Sequence, residues 1–146
     1  MQPSQQVIIE DPITASAIDT ENGKEILQAY FDIKNALVES EQEKAKKAAQ
    51  KLIATAGDNQ EIAKSTALLV AATSIEKQRE AFEMVSEHVY HLAVEKGLSS
   101  GTIYRQFCPM AFSNKGAYWL SDEEKILNPY FGDKMLHCGS VKEVIE

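Results

Sequence analysis

Much of the chain repeats apolar residues every three or four positions, the spacing that is typical of amphipathic helices. Four such stretches occur between about residue 22 and residue 97, and Lys34 interrupts the first of them. The pattern therefore predicts four helices. Their apolar residues are, in chain order, Ile26, Leu27, Tyr30, Phe31, Leu37 and Val38; Ala45, Ala48, Ala49, Leu52, Ile53 and Ala56; Ile62, Leu68, Leu69, Ala72 and Ile75; and Phe82, Val85, Val89, Leu92 and Ala93.

Polar and glycine residues set the predicted helix boundaries. Candidate N-caps, each followed by Glu three positions later, are Asn22, Ser40 and Asp58. Gly57 and Gly97 suit helix C-termini, and the apolar phase shifts at residues 74–77, where we expect a turn. Since the connections are short, neighbouring helices should be antiparallel, which predicts an all-α, up-down four-helix bundle.

The two ends of the chain differ from the helical stretches. Residues 1–20 contain two prolines and no helical period, which predicts a flexible N-terminal tail. Residues 98–146 are broken by glycine and proline but hold the only Trp, both Cys, and three of the five Tyr. We interpret residues 21–146 as a single domain in which residues 98–146 form an irregular segment packed across the bundle. Only a short helix after Ser121 is predicted there.

Two short stretches of this C-terminal segment each carry a cysteine and a methionine. They are Cys108-Pro109-Met110 and Met135-Leu136-His137-Cys138. Thiolate and thioether sulfurs are soft ligands that suit copper(I), and a proline restricts the backbone between the first two. One hypothesis is a site for copper(I) or silver(I) made of two Cys and two Met. The alternative is a Cys108–Cys138 disulfide with both methionines filling gaps. Both hypotheses place the two cysteines close together.

Three histidines are additional candidate ligands. His88 and His91 lie with Met84 on one side of the fourth predicted helix, and imidazoles three positions apart can share a metal ion. His137 lies inside the second sulfur-bearing stretch and could add a nitrogen ligand. All three also have the simpler interpretation of surface histidines, because the apolar stripe of that helix leaves His88 at its edge and His91 towards solvent.

Several residues near the sulfur-bearing stretches are predicted to have a structural part around the site. They are Pro109, Trp119, Asn128, Pro129, Tyr130, Phe131 and Gly132. The aromatic rings could shield a copper ion from water, or they could dock the segment on the bundle, and the two roles are compatible.

Charge and missing motifs exclude several function classes. The net charge of -7 disfavours nucleic acid and anionic lipid as partners, and no apolar run is long enough to span a membrane. The sequence has no Gly-rich phosphate loop, zinc-protease helix or Gly-x-Ser-x-Gly elbow, so no enzyme is predicted. The two cysteines are 30 positions apart, which excludes a Cys-x-x-Cys redox motif.

Four blocks of the C-terminal segment occur together in a recognisable order. They are Cys108-Pro109-Met110-Ala111-Phe112, Gly116-Ala117-Tyr118-Trp119-Leu120-Ser121, Asn128-Pro129-Tyr130-Phe131-Gly132 and Met135-x-x-Cys138-Gly139. This set resembles the signature of an uncharacterised bacterial domain family. That family is found as secreted or lipoprotein single domains and fused to membrane-fusion proteins of copper and silver efflux systems.

The resemblance implies a periplasmic or otherwise extracytoplasmic helical domain, with lipid anchoring through a leader outside this sequence as one form. It points to Cys108, Met110, Met135 and Cys138 as shared sulfur positions. The implied partners are a metal ion and a metal-efflux membrane-fusion protein. The expected function is copper(I) or silver(I) binding for metal tolerance or delivery. The alternative is a non-catalytic interaction module of the cell envelope with a structural disulfide.

Overall fold

A computed structural model of the protein describes residues 21–97 and 101–146, and the tail predicted for residues 1–20 lies outside the described residues. The described part of the chain begins with four helices, as the apolar pattern predicts. They are α1 (Glu21–Val38), α2 (Gln42–Ala56), α3 (Gln60–Ala71) and α4 (Ile75–Lys96). Consecutive helices pack against each other, and α1 also contacts α4. No helix of the described part is long and apolar enough to cross a membrane.

Side-chain hydrogen bonds cap the N-termini of α3 and α4. The Asn59 side chain accepts a hydrogen bond from the backbone N–H of Ile62 at 3.0 Å. The Ser74 hydroxyl accepts one from the N–H of Lys77 at 3.2 Å, which places a helix start inside the predicted turn. Each bond satisfies a backbone donor that has no partner within its helix.

The three predicted caps are wrong by one residue or more. Asn22 lies inside α1, and Asn59 takes the capping position that was predicted for Asp58. Glu41 occupies the N-cap of α2 in place of Ser40, whose hydroxyl accepts a hydrogen bond from Arg79 at 3.2 Å instead. A tertiary contact therefore outweighs the local capping signal at Ser40.

The C-terminal segment folds as a three-stranded antiparallel sheet. Its strands are β1 (Ile103–Cys108), β2 (Ala117–Ser121) and β3 (Ser140–Ile145), in the order β2-β1-β3. The prediction of an all-α bundle with an irregular C-terminal segment is therefore wrong, and the fold is mixed α/β. Buried and exposed residues do not alternate regularly along these strands, so the sequence lacks the pattern that indicates a half-buried strand.

The short helix predicted after Ser121 is also wrong. Ser121 is the last residue of β2, and its hydroxyl accepts a hydrogen bond from the N–H of Glu123 at 3.0 Å. Ser121 therefore stabilises the bend after β2 and does not cap a helix, since a serine side chain can bond the backbone in either structure.

A buried tyrosine joins the helices to the sheet. The Tyr30 hydroxyl on α1 lies 2.7 Å from the Ser86 hydroxyl on α4 and accepts the N–H of Leu120 on β2 at 2.9 Å. Its ring stacks on Phe82 with centroids 5.0 Å apart. Three elements therefore share one buried polar group at the centre of the core.

Two arginines hold the C-terminal segment on α4. Arg79 donates to the carbonyl of Pro129 at 2.8 Å and to a carbonyl in the last turn of α1 at 2.7 Å. The Arg105 guanidinium on β1 lies 3.8 Å from the ring centroids of both Tyr90 on α4 and Tyr118 on β2. These contacts fix the position of the sheet, and with it the sulfur-bearing residues.

Candidate metal centre

The two cysteines meet at the C-terminal end of β1. Cys108 is the last residue of that strand, is fully buried and pairs in register with Ala117 of β2. Cys138 lies in the loop before β3 and is half-buried. Both are free cysteines, and their Sγ atoms are 2.8 Å apart. The expectation that the cysteines lie close together is confirmed.

A backbone hydrogen bond joins Cys138 to Met135. The N–H of Cys138 donates to the carbonyl of Met135 at 3.1 Å. We call Cys108, Met110, Met135 and Cys138 the sulfur cluster. Met110 is 46% exposed and Met135 is half-buried.

Gly139 permits the close approach of the two sulfur-bearing stretches. Its φ is +140°, and a Cβ there would lie 2.8 Å from the carbonyl oxygen of Phe107 and 3.1 Å from the Trp119 ring. Only glycine tolerates this combination of backbone conformation and contact. This role of Gly139 was not predicted, although a glycine directly after a candidate ligand is a signal that could have indicated it.

Asn128 organises the loop that carries Cys138. Its buried side chain donates to the Cys138 carbonyl at 2.8 Å and accepts the N–H groups of Tyr130 at 2.8 Å and Phe131 at 3.3 Å. Its own N–H donates to the carbonyl of Leu136 at 2.7 Å. One asparagine thus fixes both ends of the loop.

The aromatic residues form the floor beneath this loop. Trp119 is fully buried and meets the Tyr130 ring edge to face, with centroids 5.9 Å apart. Trp119 faces Gln106 across the β1–β2 pair. Within the part of the chain that is described, the indole N–H of Trp119 and the Gln106 Oε1 are buried without a hydrogen-bond partner.

Pro129 and Gly132 face the helices. The Pro129 carbonyl accepts a hydrogen bond from Arg79 at 2.8 Å, and a Cβ on Gly132 would lie 2.7 Å from the Ser40 hydroxyl. Both residues therefore hold the loop on α1 and α4. Pro109 is exposed and directly follows the buried Cys108.

Cys108 affects the ionisation of Cys138. A hydrogen bond with Cys108 raises the pKa of the Cys138 thiol above its usual value, and burial and the nearby Cys108 charge act in the same direction. The backbone of Met110 opposes this rise in the pKa.

One protein family has a sequence model that matches this chain. The sequence model of a family described as "Protein of unknown function (DUF3347)" matches residues 26–101, just over half of the chain. The chain belongs to this family. The match covers α1 to α4 and ends before Cys108, so membership rests on the helices and not on the four C-terminal blocks. No curated protein and no solved structure matches the chain.

In this DUF3347 protein the histidines do not join the sulfur cluster. The Nδ1 of His88 lies 3.2 Å from the Ser65 hydroxyl of α3, and His91 is exposed beside Tyr90. Met84 is 46% exposed on the same helix. The exposed His137 donates from Nδ1 to the carbonyl of Ile126 at 3.0 Å. Throughout residues 21–97 and 101–146, no three His, Cys, Asp or Glu side chains are grouped so that they could hold a metal ion.

The donor set of the sulfur cluster fits a soft monovalent ion. Two thiols and two thioethers suit copper(I) or silver(I), whereas zinc and harder divalent ions favour additional nitrogen, thiolate or carboxylate ligands. Cys108 and Cys138 would hold such an ion as thiolates, and it would supply no redox step of its own in this proposal.

Proposed function

We propose that this protein is a non-catalytic, extracytoplasmic domain that binds copper(I) or silver(I) for metal tolerance or delivery. One observation carries the proposal: the Sγ atoms of Cys108 and Cys138 lie 2.8 Å apart, and each cysteine has a methionine two or three residues away in the chain. Two soft thiol ligands are thereby brought together at one point.

Each residue of the sulfur cluster has a distinct part in this proposal. Cys108 and Cys138 supply thiolates, which bind copper(I) most strongly, and the thioethers of Met110 and Met135 complete the ligand set as neutral donors. Asn128 orients the ligand-bearing loop, because its side chain donates a hydrogen bond to the carbonyl of Cys138. The rings of Trp119 and Tyr130 lie beneath the loop and would keep water away from that side of the ion.

The cellular part of the proposal rests on the resemblance of the C-terminal blocks to a family associated with metal efflux. On this ground we propose that the domain acts in the periplasm and that a metal-efflux membrane-fusion protein receives or supplies the ion. A half-exposed ligand set suits such transfer, because a partner's own sulfur ligands can approach Met110 and Cys138 from solvent.

A second candidate function is an interaction module of the cell envelope in which Cys108 and Cys138 form a structural disulfide. The 2.8 Å separation of the sulfurs favours it, because an S–S bond of about 2.05 Å needs only a small approach. Counting free thiols after purification without reductant, under argon, distinguishes the candidates. Two thiols support metal binding, and none supports the disulfide.

A copper(I) titration of the reduced protein against a competing chelator tests the proposal. We expect one ion per chain, with Met110→Leu and Met135→Leu each weakening affinity by about tenfold or more, since each removes one donor. The double variant Cys108→Ser/Cys138→Ser should lose the site, and His88→Ala/His91→Ala should bind as the wild type does. Wild-type affinity no greater than that of the double Ser variant would overturn the proposal.

A further inference from the structure

We infer that Cys108 and Cys138 form an ordered redox pair, in which Cys138 reacts with small external disulfides and Cys108 then resolves the mixed disulfide. The substrate class is a low-molecular-weight disulfide such as oxidised glutathione. This inference is independent of the metal proposal, because it concerns the metal-free thiols.

The two thiols differ in access to solvent. Cys108 is fully buried at the end of β1, between β2 and β3 in the sheet. Cys138 is half-buried in a loop and follows the turn that its N–H closes with Met135. Thiol–disulfide exchange requires the attacking sulfur to reach the external disulfide directly. Only Cys138 meets this requirement in the folded protein.

The surroundings of Cys138 allow a substrate to reach its sulfur. The neighbouring side chain of Met110 is exposed and unbranched, so it can move aside when a substrate approaches.

The first step forms a mixed disulfide. The Cys138 thiolate, having given its proton to solvent, attacks one sulfur of oxidised glutathione. A bond forms between Cys138 Sγ and that sulfur, the glutathione S–S bond breaks, and one glutathione thiolate leaves and takes up a proton.

The second step closes the protein disulfide. Cys108, whose sulfur lies 2.8 Å from that of Cys138, loses its proton and attacks the Cys138 sulfur, and the second glutathione leaves as a thiol. In sum, two protein thiols are oxidised to one disulfide and one glutathione disulfide is reduced to two thiols. Because the sulfurs are already adjacent, the second step should be much faster than the first, and the mixed disulfide should not accumulate.

The test uses full-length protein that is reduced, stripped of metal with a chelator and mixed with oxidised glutathione under argon. Acid-quenched samples are then measured by intact mass spectrometry. We expect Cys108→Ser to accumulate one glutathione adduct, because the resolving thiol is missing. Cys138→Ser should react at least about tenfold more slowly than Cys108→Ser. The wild type should lose two hydrogens without an observable adduct.

Two controls keep the result interpretable if a serine variant folds poorly. Brief labelling of the folded wild type with iodoacetamide, followed by peptide mapping, should modify Cys138 before Cys108. The same labelling in urea should modify both cysteines at similar rates, since unfolding removes the difference in burial. Equal labelling in the folded protein, or a persistent glutathione adduct on the wild type, would overturn the inference. Neither readout depends on whether copper binds.

Discussion

At the residue scale, Lys34 is the interruption in the first apolar stripe, and the fold buries it nevertheless. It is only 2% exposed, and its Nζ donates to the Asn35 side chain at 3.3 Å. Burial lowers the pKa of Lys34 from its ordinary value of 10.5, and the charges of Asp122 and Glu123 partly oppose this. The sequence locates the residue on the apolar face, but it does not reveal that the side chain is buried there.

We expect Lys34→Met to increase the free energy of unfolding at pH 7 by about 1 kcal/mol, because it removes a charge that the unfolded chain hydrates better. The penalty from Lys34 is present below its folded-state pKa. It disappears as the pH rises through that value towards 10.5, so the gain should shrink on the alkaline side.

Urea unfolding at a series of pH values measures this change. Lys44→Met is the matched control, since the Lys44 side chain is 67% exposed and its replacement should have little effect at any pH. A gain for Lys34→Met that does not vary with pH would contradict the assignment of the penalty to the buried charge.

At the element scale, the Tyr30 hydroxyl connects α1, α4 and β2. We expect Tyr30→Phe to lower the free energy of unfolding by about 2 kcal/mol, because the Ser86 hydroxyl and the Leu120 N–H both lose their buried partner. Urea unfolding followed by circular dichroism measures the loss. Tyr90→Phe is the control: its hydroxyl donates to Glu143 at an exposed position, so its loss should cost less. Equal effects would contradict the connecting role of Tyr30.

Helices were predictable from the sequence and strands were not, because helix patterns are local and strand pairing is not. An amphipathic helix such as α2 repeats its apolar face several times within one element, so the pattern is redundant. Strand β3 buries only Ile145 among its six residues, and its pairing with β1 depends on residues far away in the chain. Non-local pairing leaves little trace in a local pattern.

The candidate site was predictable in residue type and only partly in geometry. The rarity of cysteine directs attention to Cys108 and Cys138, and their contact follows from either hypothesis about them. His88 contacts Ser65 of α3 and not the sulfur cluster. This contact depends on how α4 packs on α3, and the spacing of residues along one helix cannot indicate that packing. The role of Gly139 likewise requires knowledge of its neighbours.

At the scale of the whole molecule, a Cys108–Cys138 disulfide would close a loop of about 30 residues that contains β2. In the chain-entropy model such a bond contributes about 3–4 kcal/mol by restricting the unfolded chain. We therefore expect the oxidised protein to unfold at a clearly higher urea concentration than the reduced protein. The double variant Cys108→Ser/Cys138→Ser should not respond to reductant. An identical midpoint for the oxidised and reduced wild type would contradict this expectation.

The close packing of Gly139 against Trp119 has a practical consequence. Trp119 is the only tryptophan of the chain, and Gly139, the residue directly after Cys138, packs against its indole ring. Indole emission responds to changes in its surroundings. The protein therefore contains an intrinsic fluorophore beside its two thiols, and events at the sulfurs can be followed in real time without any attached label.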